Sequence, residues 1–109
     1  MRELREDLRL IYDWIAPNSK VLDLGCGDGQ LLAALVEEKN CIAYGVELDT
    51  DSVIAAMDLG VNVIQSDLES GLRHGFADNS FDVVVLSQTI QAMKNTEIIL
   101  QEMKRVARQ

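Results

Sequence analysis

The sequence predicts an α/β protein: a three-layer α/β/α sandwich around a parallel sheet of about four strands in the order 3-2-1-4. Three observations predict it. Short apolar runs of strand length alternate with segments of helical apolar spacing, the pattern of parallel strands joined by helical crossovers. A glycine-rich turn, Gly25-Cys26-Gly27-Asp28-Gly29, joins the first such strand to the next helix. The chain has 109 residues, 48% of them hydrophobic, which is one globular domain, residues 1–109, with ordinary core-forming content.

Leu4, Leu8, Ile11 and Ile15 recur at spacings of four, three and four, one face of a helix from about Arg2 to Ala16. Pro17 ends it, because proline disfavours helical geometry in the residue before it. Val21-Leu22-Asp23-Leu24 is the first strand. Leu31, Leu32, Leu35 and Val36 return to helical spacing. Ile42 to Leu48 reads as the second strand. Asp49-Thr50-Asp51-Ser52 offers caps for a helix with Val53, Ile54 and Met57 facing inward, and Gly60 closes it. Val61 to Ile64 is the third strand. Ser66 to Ser80 has no period and is the expected ligand-side loop. Phe81 to Leu86, interrupted only by Asp82, is the fourth strand. Thr96 caps a last helix with Ile99, Leu100, Met103 and Val106 inward.

Composition excludes several classes. Ten basic residues against 18 acidic give a net charge of −8, and the basic residues are scattered, which argues against nucleic acid or an anionic membrane. No apolar run spans a bilayer, and the N-terminus lacks a signal core. Cys26 and Cys41 have neither metal-ligand nor disulfide-framework spacing, so no metal site is expected and a reducing cytoplasm is the simplest location.

The glycine turn carries the chemistry. The helix starting near Gly29 is expected to point free amides and a positive dipole end at a ligand. The diphosphate-binding spacing is Gly-x-Gly-x-x-Gly, and here the third glycine falls one residue early, with Gln30 in its place. Asp23 and Asp28 add negative charge, which suits an ammonium or sulfonium group better than a diphosphate. Glu47 ends the second strand, where an acid accepts hydrogen bonds from ribose hydroxyls. Asp67 follows the third strand, where a carboxylate can accept from an adenine amino group or simply form a turn.

Val21-Leu22-Asp23-Leu24-Gly25-Cys26-Gly27-Asp28-Gly29, Gly45-Val46-Glu47, Ser66-Asp67-Leu68 and Phe81-Asp82-Val83-Val84 together resemble the class I S-adenosylmethionine-dependent methyltransferase fold, which is Rossmann-like. Asn62 to Leu72 and Leu86-Ser87-Gln88-Thr89-Ile90-Gln91 give a narrower resemblance, to the methionine biosynthesis protein MetW family, over nearly the whole chain. The resemblance implies S-adenosylmethionine as cofactor, with Asp23, Gly25, Cys26, Gly27, Gly29, Glu47, Leu48, Asp67, Leu68 and Ser87 as its site. It implies a role in methionine biosynthesis alongside homoserine O-acetyltransferase, either as a methyltransferase-like partner or as a non-catalytic activator. A small-molecule methyltransferase is the remaining alternative, and no catalytic base is assigned.

Family members continue into a fifth strand, so this chain is expected to be a truncated, N-terminal portion of such a fold. Its fourth strand, Val83-Val84-Val85-Leu86, is then an open edge through which self-association is expected. His74 reads as an exposed loop residue. Tyr12 and Trp14 read as packing or lid residues, and Cys26 as unreactive because nearby acids oppose its thiolate.

Overall fold

A computed structural model describes residues 3–67 and 80–87. The elements are α1 (Glu6–Trp14), β1 (Lys20–Leu24), α2 (Gln30–Lys39), β2 (Ile42–Glu47), α3 (Thr50–Asp58), β3 (Asn62–Gln65) and β4 (Val83–Leu86). The strands form one parallel sheet in the order β3-β2-β1-β4, as the sequence predicts. Leu24 pairs with both Val46 and Leu86, and Glu47 pairs with Gln65. The carboxyl ends of all four strands therefore lie along one edge of the sheet.

Alternation along β1 divides the core. Val21 joins a cluster with Leu8, Ile15, Leu31, Leu35, Ala56 and Val85, to which α1, α2 and α3 all contribute. Leu22 and Leu24 face the other way, against Val46 and Phe81. Asp82, the one polar interruption in its run, anchors the start of β4: its carboxylate accepts from Lys20 N at 2.8 Å, and its own amide donates to Lys20 O at 2.8 Å.

Helix α1 is shorter than its apolar period. Ile15 is already extended (ψ 127°), two residues before Pro17. Its exposed last carbonyls are met from α2, where Lys39 Nζ donates to Tyr12 O and to Ile15 O. The Tyr12 hydroxyl donates to Glu38 Oε1 at 2.8 Å, and its ring meets two cations, Arg9 Cζ 4.8 Å and Lys39 Nζ 4.3 Å from its centre. Tyr12 is thus a packing residue, whereas Trp14 is three-quarters exposed.

Two expected inward positions are wrong: Ile54 and Met57 face outward, and Val36, at helical spacing with Leu31, Leu32 and Leu35, is exposed as well. Helix α2 buries the consecutive run Leu31 to Leu35 instead, which puts Val36 on the open side. On α3 the buried pair is Val53 and Ala56. Ile54 and Met57 each follow a buried residue by one position, about 100° further round the helix. Small Ala56 wins because α3 lies against Gly29, where a Cβ would fall 2.9 Å from Ala56 Cβ. Gly60 closes α3 in the left-handed region (φ 81°), as expected. The expected last helix with Ile99, Leu100, Met103 and Val106, and the expected loop containing Leu68 and His74, fall on residues outside those described. No helix among the described residues is long and apolar enough to cross a membrane.

Candidate functional site

Glu47 is the centre of the site. It is buried, 6% exposed, at the end of β2. Its Oε1 accepts from Gly27 N at 2.8 Å, and its Oε2 from Leu48 N at 3.1 Å and Asp49 N at 3.0 Å. One carboxylate thus fastens the glycine turn to the β2–α3 turn. A carboxylate offers about four acceptor positions, so roughly one remains for a hydroxyl. Asp49, expected as a helix-start residue, is the N-cap of α3 and accepts from Ser52 N at 2.9 Å. Leu48 is 65% exposed between Glu47 and this cap.

Asp23 lies beneath the glycine turn and is fully buried. Ser87, immediately after β4, donates its hydroxyl to Asp23 Oδ2 at 2.7 Å and its amide to Oδ1 at 3.3 Å. Burial raises the Asp23 carboxyl, the Ser87 hydrogen bonds oppose the rise and the charge of Glu47 adds to it, which together take it from its ordinary 3.8 to about 7. A carboxyl held above its unfolded value keeps its proton in the folded chain after the unfolded chain has lost it. Its contribution to stability therefore falls as pH rises between about 4 and 7.

The glycine turn differs from expectation in one respect. Its amides are not free. Gly25 N donates to Val46 O at 2.7 Å, Cys26 N to Val46 O at 3.3 Å, Gly29 N to Cys26 O at 3.2 Å, and Gln30 N to Asp28 Oδ1 at 3.3 Å. With Gly27 given to Glu47, none of these five amides is left for a diphosphate. Gly29, at φ 84°, serves the close approach of α3.

Cys26 presents only its backbone to the turn. Its side chain is completely buried, and burial, with Asp23, Glu47 and Asp28 nearby, pushes its thiol up to about 12. The expected inertness holds, with burial rather than charge as the larger cause. Gly45, quoted above only as part of a motif, makes room for it: a Cβ there would lie 2.6 Å from Cys26 Sγ and 2.9 Å from Leu32 Cδ1. Gln65 was also missed; its Nε2 donates to Thr50 Oγ1 at 2.8 Å and Leu48 O at 3.2 Å, bracing the β2–α3 turn. An amide ending a strand carries no signal that would reveal this.

Asp67 follows β3 at the same sheet edge and is exposed. Leu68 lies outside the described residues. A cleft of about 130 Å³ opens between the segment before α1 (Glu3, Leu4, Arg5) and the turn at Asp28 and Gln30. The structure therefore brings Asp23, Gly25, Cys26, Gly27, Glu47, Leu48 and Ser87 together, and sets Asp67 beside them. Among the described residues, no His, Cys, Asp and Glu group has a metal-holding arrangement.

Residues 5–109 match the family described as methionine biosynthesis protein MetW. The chain is 40% identical to the bifunctional methionine biosynthesis protein MetXA/MetW of Rhodopirellula baltica, across 96% of this chain and 18% of that protein. Among solved structures it is similar to a SAM-dependent methyltransferase of Archaeoglobus fulgidus, with TM-score 0.81 and 24% identity over 93% of this chain and 45% of that one. A SAM-dependent methyltransferase of Thermotoga maritima gives TM-score 0.75 at 23% identity, over 94% and 45%. The chain spans less than half of each of these three proteins.

Proposed function

The chain belongs to the MetW family, and from that premise we propose that it binds S-adenosylmethionine at the turn after β1 and supports methionine biosynthesis beside homoserine O-acetyltransferase. The observation that carries the cofactor reading is the Glu47 carboxylate on Gly27 N at 2.8 Å, with buried Asp23 beneath the same turn. Acids converge there, and five of the turn amides already have acceptors within the chain. That donor and acceptor set favours a ligand that brings hydroxyls and positive charge over one that brings phosphates.

In this reading Glu47 accepts from a ribose hydroxyl, Leu48 lies against the adenine, Asp67 and Leu68 flank it, and Asp23 answers the ammonium group. Gly25, Cys26, Gly27 and Gly29 supply the backbone walls, with Ser87 at their end. When bound, the cofactor supplies a sulfonium-activated methyl group. The chain's own contribution is alignment and charge complementarity. Calorimetry is expected to give a saturable heat with S-adenosylmethionine and S-adenosylhomocysteine and none with a nicotinamide dinucleotide. A folded sample silent to both adenosyl compounds defeats the reading.

The fused Rhodopirellula relative favours a second role, docking on an acyltransferase. Its test is co-purification with homoserine O-acetyltransferase and assay of acyltransferase activity with and without this chain. We expect binding and stimulation, and the absence of both removes this role. Among the described strands β4 is an edge, so we propose self-association along Val83-Val84-Val85-Leu86, which sedimentation of the same samples reads as a homodimer or as a monomer. Cys26 and Cys41, buried and outside any disulfide, suit the cytoplasm.

A further inference from the structure

We propose that Ser87 is a positioning residue: through two hydrogen bonds it orients Asp23 and favours its charged form for the ammonium group of the cofactor. The inference rests on the cofactor reading above. Asp23 is completely buried, so no solvent compensates its charge. Ser87 gives it two donors, the hydroxyl to Oδ2 at 2.7 Å and the amide to Oδ1 at 3.3 Å. The same hydroxyl oxygen lies 3.3 Å from Gly25 O, so one side chain ties the end of β4 to both the carboxylate and the turn above it.

The groups around Asp23 do not substitute for Ser87. Glu47, from β2, repels its charge. Cys26, in the turn, is neutral, its thiol pushed up to about 12. The residues paired with Asp23 on either side are Gly45 and Val85, neither titratable. A buried carboxylate that loses a charge-stabilising donor takes up a proton from water at higher pH. Cofactor binding, which needs the charged form, then weakens at neutral pH and recovers at alkaline pH.

The test has two readouts on wild type, Ser87→Ala and Ser87→Thr. The first is the titration of the Asp23 carboxyl, followed by carbon NMR in the ligand-free protein. Ser87→Ala is expected to titrate about one pH unit or more above wild type, and Ser87→Thr, which keeps the hydroxyl, close to wild type. The second is the affinity for S-adenosylhomocysteine between about pH 6 and pH 9, where Ser87→Ala is expected to be roughly tenfold weaker at the acid end and to converge on wild type at the alkaline end. An unmoved titration, or a loss of affinity equal at every pH, overturns the role of Ser87. Wild type failing to bind overturns the cofactor reading instead, and the carboxyl titration still decides whether Ser87 controls Asp23.

Discussion

Replacing Glu47 with alanine is expected to weaken S-adenosylhomocysteine binding about 10- to 100-fold, since one hydroxyl hydrogen bond to a charged acceptor contributes roughly 1.5–3 kcal/mol. The same change leaves the amides of Gly27, Leu48 and Asp49 without their shared acceptor. Glutamine separates the two effects only poorly, and for a physical reason. Its single carbonyl oxygen can serve either Gly27 or the Leu48–Asp49 pair, and its NH₂ group then confronts the other amide or amides. Glu47→Gln is therefore expected to bind nearly as weakly as alanine and to lose about 1–3 kcal/mol of stability, the cost of an unmet buried donor. Calorimetry and chemical denaturation read the two effects. A Glu47→Ala protein that binds like wild type would remove Glu47 from the site.

The largest expected loss of stability is at Phe81. Its ring is 1% exposed and forms, with Leu22, Leu24 and Val46, the cluster on the face of the sheet opposite α1, α2 and α3. Tyr44 meets it edge-on at 5.9 Å and 76°, and Lys20 Nζ lies 5.2 Å from its centre. Truncating such a ring costs about 3–5 kcal/mol in transfer and cavity energy. A domain of this size has about 5–15 kcal/mol in total, so Phe81→Ala removes a large share. The urea midpoint is expected to fall steeply with an unchanged slope, while Phe81→Leu, which refills much of the space, costs under about 1.5 kcal/mol. A small loss for Phe81→Ala would mean that this face of β1 and β2 is not a packed core.

The sheet was legible because its signal is one-dimensional. Strand-length apolar runs such as Val21–Leu24 and Val83–Leu86 separated by helical spacing admit few parallel arrangements, and the observed order is the expected one. The acids at the strand ends were legible for the same reason, since Asp23 and Glu47 interrupt or end apolar runs where a parallel sheet meets its ligands. What depended on pairwise packing was not. Hydrophobicity alone ranks Met57 above Ala56, and only the approach of α3 to Gly29 reverses that order. The turn amides looked free because the motif carries no record of Val46 O or of the Glu47 carboxylate reaching across from β2. The hydrogen bonds from Ser87 were likewise hidden, because their acceptor, Asp23, is 64 positions earlier in the chain.

Amide-resolved NMR of the nitrogen-labelled chain during a titration with S-adenosylhomocysteine tests the central claim most directly. Saturable shifts are predicted for Gly25, Gly27, Leu48 and Asp49, the amides in and around the Glu47 bridge, with no comparable response to a nicotinamide dinucleotide. A folded chain whose Gly27 and Leu48 resonances stay fixed at saturating adenosyl compound would contradict it.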